Sequence, residues 1–247
     1  MATLENVTAI TVDVFGTTVD WRSGMADQLS RIAAESGIEI DGAAYADRWR
    51  ARYLPALARV NSGERSWAYL DTLHREALDD LLAELPDGAR FDEPTRERLV
   101  RAWHRLPAWP DAVEGLRRLR ERYLVVAFSN GGFALLTNLI KAAGLPFDAI
   151  ISAELAQAYK PDVRAYRTAA QLLDRRPDQL LMVAAHGWDL AGAREAGLHT
   201  AFIERPLEKG PGGGADRAEE TACDLAATSF TDLARLLDHE GHGDEER

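Results

Sequence analysis

The sequence predicts an α/β fold in which a parallel sheet is covered by helices on both of its faces. Short apolar runs alternate along the chain with stretches of helical periodicity, a pattern typical of parallel strands connected by helices. One long segment, residues 20–105, has helical periodicity and no good strand. We therefore expect strand–helix units with a helical insertion after the first strand.

Each element of this fold is predicted from a local pattern. The predicted strands are Val7–Val12, Tyr123–Phe128, Phe147–Ile151, Leu180–Ala184, His199–Ile203 and Ala222–Ala226. The helices between them are Asp111–Arg122, Phe133–Ala143, Arg164–Leu173 and Leu190–Ala196. Gly144 and Gly197 follow two of these helices, where glycine is a common stop because it adopts left-handed backbone angles without strain.

The insertion consists of amphipathic stretches. They are Met25–Ser36, Ala43–Val60 and Trp67–Leu82. Such an insertion can lie over the carboxyl ends of the parallel strands, where doubly wound sheets bind ligands. Towards the end of the chain, Gly210–Glu220 is predicted to be a surface loop and Gly241–Arg247 a solvated tail.

Composition limits the functional classes. Of the 247 residues, 46% are hydrophobic and 28% charged, as in ordinary globular proteins. The net charge of −11 disfavours nonspecific nucleic-acid binding, because phosphates repel a negative surface. The one cysteine, Cys223, allows no internal disulfide and fits a reducing cytoplasm. We expect no signal peptide, because the N-terminus has no basic start followed by an apolar run. We expect no membrane span, because no stretch approaches about 20 apolar residues.

The clearest chemical feature is Asp13, which directly follows the apolar run Ile10–Val12 and begins the sequence DVFGT. A carboxylate at the tip of a buried strand, followed by a turn containing glycine, points into the crevice above the sheet. There it can attack an electrophilic carbon or phosphorus and form a covalent intermediate. The alternative is that Asp13 only caps the turn.

Other strand ends favour the catalytic interpretation. Ser129 and Asn130 follow the second strand, Lys160 follows the third, and His186 and Asp189 follow the fourth. Because parallel strands end at the same edge of a sheet, these side chains are expected to share one crevice. Polar groups converging in this way are typical of an active site.

The segments DVFGT, SNG, KPDVRAY and AAHGWD occur in an order and spacing that resembles the haloacid dehalogenase superfamily, specifically its L-2-haloacid dehalogenase (type II) branch. The resemblance extends from Asp13 to the strand after His199. It implies a Rossmann-like core domain, residues 1–19 and 106–247, with a helical cap domain, residues 20–105, inserted after the first motif.

Roles for individual residues are implied by the same resemblance. Asp13 is the nucleophile, Thr17 supports it, and Lys160 neutralises it and pairs with Asp189. Ser129 and Asn130 help to hold the substrate, Tyr166 matches the motif tyrosine, and Arg59, which precedes Gly63, receives the departing halide. Two alternatives stay open: Tyr166 could be an ordinary core residue and Arg59 a solvated helix residue.

Phe15 separates this sequence from most of the superfamily. The phosphatases of the superfamily carry a second aspartate at that position, which acts as acid and base and helps to hold magnesium. Phe15 can donate no proton from its side chain and is expected to line the pocket with apolar surface. Since magnesium prefers several carboxylate and phosphate oxygens, we expect no metal and no cofactor.

The fourth motif departs from the better-known dehalogenases, which have Ser-Ser-Asn where this chain has Ala184-Ala185-His186. A neutral imidazole can accept a proton near neutral pH, whereas an amide cannot. His186 is therefore predicted to activate the water that hydrolyses the Asp13 ester, with Asp20 orienting the imidazole, an arrangement that resembles a minority subgroup of the branch. The alternatives are a structural role for His186 and a helix N-cap or linker salt bridge for Asp20.

The leading hypothesis is thus the hydrolysis of a short 2-haloalkanoate to the 2-hydroxy acid, with inversion at carbon and release of halide. The expected partners are a small anionic 2-haloacid and a halide ion, with no nucleic acid and no membrane. Homodimers are common in the resembling family, which leaves a homodimer open. The competing hypotheses are a metal-free hydrolase of another small carboxylate, a phosphatase-like member of the fold, and a non-catalytic protein that retains the fold.

Overall fold

A six-stranded parallel sheet forms the centre of the computed structural model, which describes residues 4–240. The strands are β1 Ala9–Val12, β2 Leu124–Ser129, β3 Ala149–Ser152, β4 Leu180–Ala184, β5 His199–Ile203 and β6 Leu225–Ala227. Their order in the sheet is β3-β2-β1-β4-β5-β6. The α/β fold predicted from the alternating pattern is confirmed, and so is the Rossmann-like core that the resemblance implies.

Strand β1 lies at the centre of the sheet because it pairs with β2 on one side and β4 on the other. Val12 is level with Ala127 and with Val183, so the carboxyl ends of the three strands meet at one edge. All residues of β1 are buried, as its largely apolar sequence predicts for a strand covered on both faces. The residue that follows β1 is Asp13.

The segment between β1 and β2 is helical, and its residues 20–105 contain no strand. Its helices are α1 Trp21–Glu35, α2 Gly42–Ala51, α3 Tyr53–Asn61, α4 Leu70–Ala83 and α5 Glu93–Ala102. The predicted amphipathic stretch Ala43–Val60 is helical but is divided between α2 and α3. Pro55 has no N–H to donate to the carbonyl of Ala51, so α2 cannot continue through it.

The helices that follow β2, and the helix that directly precedes β2, cover the two faces of the sheet. They are α6 Ala112–Leu119, α7 Phe133–Ala143, α8 Val163–Leu172, α9 Gly187–Glu195 and α10 Phe230–Glu240. Helices α6, α7 and α10 pack in one apolar cluster with the insertion, and α8 and α9 pack in the other. Helix α7 ends as predicted at Gly144, which has a φ of +64°. Helices α5 and α10 are additional to those that the sequence pattern predicts.

The insertion is anchored to the loop that carries Lys160. The side chain of Asn61 donates to the carbonyl of Tyr159 at 2.8 Å and accepts from its N–H at 2.9 Å. The Tyr159 hydroxyl donates to the carbonyl of Ala68 at 2.6 Å, and its ring stacks on Trp67 at 4.6 Å. These contacts bring the insertion next to the carboxyl ends of the strands.

The predicted tail Gly241–Arg247 lies outside the described residues. Across residues 4–240, none of the helices has the length and apolar character needed to cross a bilayer.

Candidate active site

Asp13 is held rigidly at the end of β1. Its N–H donates to the carbonyl of Val183 at 2.9 Å, and its own carbonyl accepts from the Thr18 hydroxyl at 2.7 Å. The Thr17 hydroxyl donates to Asp13 Oδ2 at 2.8 Å and accepts from the N–H of Ala185 at 2.9 Å. Because Thr17 is itself fixed by the residue after β4, the carboxylate has a defined orientation.

Lys160 bridges two buried carboxylates of the site, Asp13 and Asp189. Its ammonium donates to Asp13 Oδ1 at 2.9 Å, to Asp189 Oδ2 at 2.6 Å and to the carbonyl of Phe128 at 3.1 Å, which uses all three of its protons. Tyr166 donates from its hydroxyl to Asp189 Oδ1 at 2.6 Å. Tyr166 is therefore a buried polar partner of Asp189 and not only an apolar core residue.

These charges set the protonation states of the bridge. Burial alone raises the pKa of Asp13, but the Lys160 ammonium and His186 outweigh it and hold that pKa well below its usual range. Burial lowers the pKa of Lys160, and the charges of Asp13 and Asp189 reverse this and raise it above its ordinary value. Asp13 is thus an ionised carboxylate at neutral pH, as a nucleophile needs to be.

His186 follows β4 and lies between two carboxylates. Its Nε2 is 2.9 Å from Glu208 Oε1, and its Nδ1 is 3.3 Å from Asp13 Oδ2. Trp188 stacks beside its ring at 5.6 Å, and Trp21 donates from Nε1 to Glu208 Oε1 at 2.8 Å. Burial lowers the pKa of His186, but the charge of Glu208 and the contacts with Asp13 raise it to about 10.

The predicted partnership between Asp20 and His186 is wrong, since the carboxylate on His186 is that of Glu208. Asp20 instead caps the N-terminus of α1, where its Oδ1 accepts from the N–H of Ser23 at 3.0 Å. An aspartate just before a helix commonly takes this role because it satisfies an otherwise unpaired N–H. The alternative interpretation of Asp20 as a helix N-cap is thereby confirmed. Glu208 lies in the loop after β5, in a stretch without any motif that would single it out.

The predicted location of Arg59 in the site is also wrong. Its side chain is 58% exposed, and its Nε donates to Glu64 Oε1 at 2.7 Å. Helix α3 buries the face that carries Tyr53, Leu57 and Val60, and Arg59 projects from the opposite face.

Arg50, on α2, is the arginine that lines the cavity next to His186. Its guanidinium lies 4.0 Å from the ring centre of Tyr53 and 5.2 Å from that of Trp21. Within residues 4–240 its guanidinium has no hydrogen bond or ion pair. An unpaired cation between aromatic rings is well suited to receive an anion. The sequence signal that could have identified Arg50 is its position between two aromatic residues, Trp49 and Tyr53, which are both buried.

The remaining predicted substrate-binding residues differ in what they offer. The Asn130 amide accepts from the N–H of Lys160 at 2.7 Å and donates to the Tyr53 hydroxyl at 3.0 Å, so it fixes protein groups. The Ser129 hydroxyl accepts from the N–H of Gly131 at 3.2 Å, and within residues 4–240 it donates its own proton to no acceptor. Phe15 is buried edge-on against Trp103, with 6.1 Å between ring centres, and does not line the cavity next to His186.

That cavity has a volume of about 440 Å³ and leads to the charged cluster. Its wall is formed by Trp21, Asp47, Arg50, Ala51, Tyr53, Leu54, His186, Trp188, Glu208, Lys209, Gly213 and Asp216. Asp13 lies behind His186 and is nearly buried. A cavity of this size, with aromatic walls and a few convergent charged groups, suits a small ligand.

Comparison with known proteins gives a consistent result. Residues 7–197 match the family model of haloacid dehalogenase-like hydrolases. The chain is 30% identical over 213 residues to (S)-2-haloacid dehalogenase 4A of Burkholderia cepacia, covering 82% of this chain and 85% of that protein. It is 36% identical over 166 residues to (S)-2-haloacid dehalogenase 1 of Pseudomonas sp. (strain CBS-3), covering 63% and 72%.

Solved structures agree with these relatives. The defluorinating L-2-haloacid dehalogenase Rha0230 is 44% identical, with a TM-score of 0.91 over 94% of this chain and 95% of that one. The L-2-haloacid dehalogenase PA0810 is 41% identical, with a TM-score of 0.85 over 94% and 99%.

Proposed function

This chain belongs to the haloacid dehalogenase-like hydrolases and acts on carbon–halide bonds, and we propose that it converts a short (S)-2-haloalkanoate to the 2-hydroxy acid through an ester on Asp13. The observation that carries the proposal is the environment of Asp13. This carboxylate is nearly buried, ionised, oriented by Thr17 and Lys160, and adjacent to a cavity containing an unpaired arginine.

In the first step, Asp13 attacks the carbon that bears the halogen from the side opposite the leaving group. A carbon–oxygen bond forms as the carbon–halogen bond breaks, so the configuration inverts and halide departs with the bonding electrons. Arg50 offsets the charge of the substrate and of the developing halide, a role supported by its unpaired guanidinium in the cavity wall. Lys160 keeps Asp13 ionised without binding it covalently.

In the second step, water attacks the carbonyl carbon of the Asp13 ester. His186 is proposed to accept the proton of this water, which is supported by the 3.3 Å separation between its Nδ1 and Asp13 Oδ2. The 2-hydroxy acid leaves, and Asp13 is regenerated. Ser129, whose hydroxyl proton is uncommitted, is proposed to hold the substrate carboxylate.

The reaction is proposed to proceed without a metal ion. Phe15 occupies the position where a second carboxylate would be needed, and its ring packs on Trp103. Asp13 and Asp189 are already bridged by the Lys160 ammonium that lies between them. A cation at that place would have to displace a buried lysine with three hydrogen bonds.

The proposal is tested with halide and product assays on fluoro-, chloro- and bromoacetate and on both enantiomers of 2-chloropropionate. We expect halide release, an (R)-2-hydroxy acid from the (S)-substrate, and complete loss of turnover in Asp13→Asn. Failure to release halide from all five compounds, together with magnesium-dependent hydrolysis of a phosphate monoester, would replace this proposal with a phosphatase.

A further inference from the structure

The imidazole of His186 has a carboxylate at each of its nitrogens. Nε2 lies within hydrogen-bond distance of Glu208 Oε1, at 2.9 Å. Nδ1 is buried and 3.3 Å from Asp13 Oδ2, and it forms no hydrogen bond with the described residues. The ring therefore has one nitrogen committed to Glu208 and one directed at the proposed nucleophile.

Glu208 is held in this place by its own partners. Trp21 donates from Nε1 to the same Oε1 atom, and the carboxylate side chain is only 3% exposed. The turn after β1 makes room for it, because Gly16 has a φ of +87° and a Cβ there would lie 2.2 Å from Glu208 Oε1 and 3.0 Å from His186 Cε1. The glycine of DVFGT thus permits the close approach of this carboxylate and imidazole.

On the premise of the proposed dehalogenation, we infer that Glu208 is the positioning residue for His186. It accepts the Nε2 proton and so leaves Nδ1 as the atom that exchanges protons with water at the Asp13 ester. Because both carboxylates are anionic in the free enzyme, the imidazole then carries protons on both nitrogens. It loses the Nδ1 proton only after Asp13 has become a neutral ester.

The protons and charges of such a cycle balance. Attack by Asp13 releases halide, and the Nδ1 proton leaves to solvent because one of its two anionic partners has been neutralised. Neutral His186 then accepts a proton from water at Nδ1 as the oxygen adds to the ester carbonyl carbon, and it returns that proton to the departing alkoxide. The regenerated Asp13 carboxylic acid passes its proton to Nδ1. The sum is haloacid plus water giving hydroxy acid, halide and one proton.

The charged groups around the ring support this order of events. Asp13 and Glu208 contact it directly, and Arg50 from the insertion acts on Glu208. Burial lowers the pKa of the imidazole, while Glu208 and Asp13 together raise it to about 10. Esterification removes the Asp13 charge, so the pKa of His186 falls in the intermediate, where a base is needed.

The test compares Glu208→Gln and Glu208→Ala with Asp20→Asn as the matched control. Asparagine is as good a helix cap as aspartate, so Asp20→Asn keeps α1 intact while removing the other carboxylate that could have oriented the histidine. Each protein is mixed with chloroacetate at pH 8 in a rapid-quench instrument. Halide, released protons and the mass of the peptide containing Asp13 are followed in the same reaction.

In wild type we expect one proton to appear with the first halide. In Glu208→Gln the halide burst should keep its wild-type rate, while ester hydrolysis slows by about 10- to 100-fold and the ester accumulates on Asp13. The acid limb of ester hydrolysis should also move to lower pH, since loss of an anion lowers the pKa of His186. Glu208→Ala should be slower still, and Asp20→Asn should match wild type.

The outcomes separate the two proposals. If wild type gives no halide burst with any haloacid, the dehalogenation itself is wrong. If wild type gives the burst but Glu208→Gln hydrolyses the ester at the wild-type rate with an unmoved acid limb, Glu208 does not position the base. Loss of the burst in Glu208→Gln, or proton release only with the hydroxy acid, would also overturn the inference.

Discussion

Replacement of Arg50 by alanine should greatly slow dehalogenation. Its guanidinium has no ion pair within the described part of the chain and lies between Tyr53 and Trp21 in the cavity wall. A unit charge about 4 Å from a substrate anion, at an effective dielectric near 20, contributes about 4 kcal/mol. Since about 1.4 kcal/mol corresponds to a factor of ten in rate, kcat/KM should fall by up to about 1,000-fold in Arg50→Ala.

Arg59→Ala is the matched control, because it also removes an arginine from a helix of the insertion. Arg59 is 58% exposed and its partner Glu64 is 61% exposed. Exposed pairs of this kind contribute about 0–1 kcal/mol to stability and none to a distant reaction. The expected change in kcat/KM is therefore less than about twofold.

The assay is initial halide release from chloroacetate, with thermal unfolding of both variants measured in parallel to confirm that they fold. Rates that fall by about 100-fold or more in Arg50→Ala and stay near wild type in Arg59→Ala support the assignment. A large fall in Arg59→Ala with a near wild-type rate in Arg50→Ala would contradict the assignment and would place the halide site on α3.

Other consequences follow from the charge network around Asp13. Lys160→Met should abolish turnover and lower the free energy of unfolding by about 3–5 kcal/mol in urea titrations, because it leaves two buried carboxylates without their cation; wild-type stability in this variant would contradict the network. Turnover should survive prolonged treatment with EDTA, and a loss that magnesium restores would refute the metal-free proposal. The raised pKa of His186, about 10 against an ordinary 6.5, contributes stability that is complete below pH 6.5 and lost as the pH rises towards 10, so the thermal midpoint should fall over that range. His186→Asn should flatten that fall, and an identical profile in the variant would remove His186 as its cause.

The strand ends can be predicted from the sequence because their signals are local. Apolar runs followed at once by polar residues identify the tips of parallel strands, and all such tips meet at one edge of the sheet. This pattern correctly groups Asp13, Lys160, His186 and Asp189 in space. The same pattern carries no information on the depth of their burial or on their hydrogen bonds, which depend on how the loops pack.

The insertion and the loop after β5 are harder to predict, for two physical reasons. Which face of a helix meets the core depends on packing, and the buried face of α3 carries Leu57 and Val60 and leaves Arg59 exposed. The approach of Glu208 to His186 depends on a loop with no periodicity, which returns to the site from the end of β5. Such a contact leaves no regular spacing in the sequence, whereas Asp20 is close to Asp13 in the chain and is the more obvious candidate.

The covalent role of Asp13 is tested most directly by a single turnover in heavy-oxygen water with the enzyme in excess over chloroacetate. If Asp13 attacks the substrate, the hydroxyl oxygen of the first product comes from the carboxylate and carries no label. The label then appears in the peptide that contains Asp13, because water attacks the carbonyl carbon of the ester. A labelled hydroxyl group in the first product, with unlabelled Asp13, would show that water attacks the substrate directly and would contradict the ester mechanism.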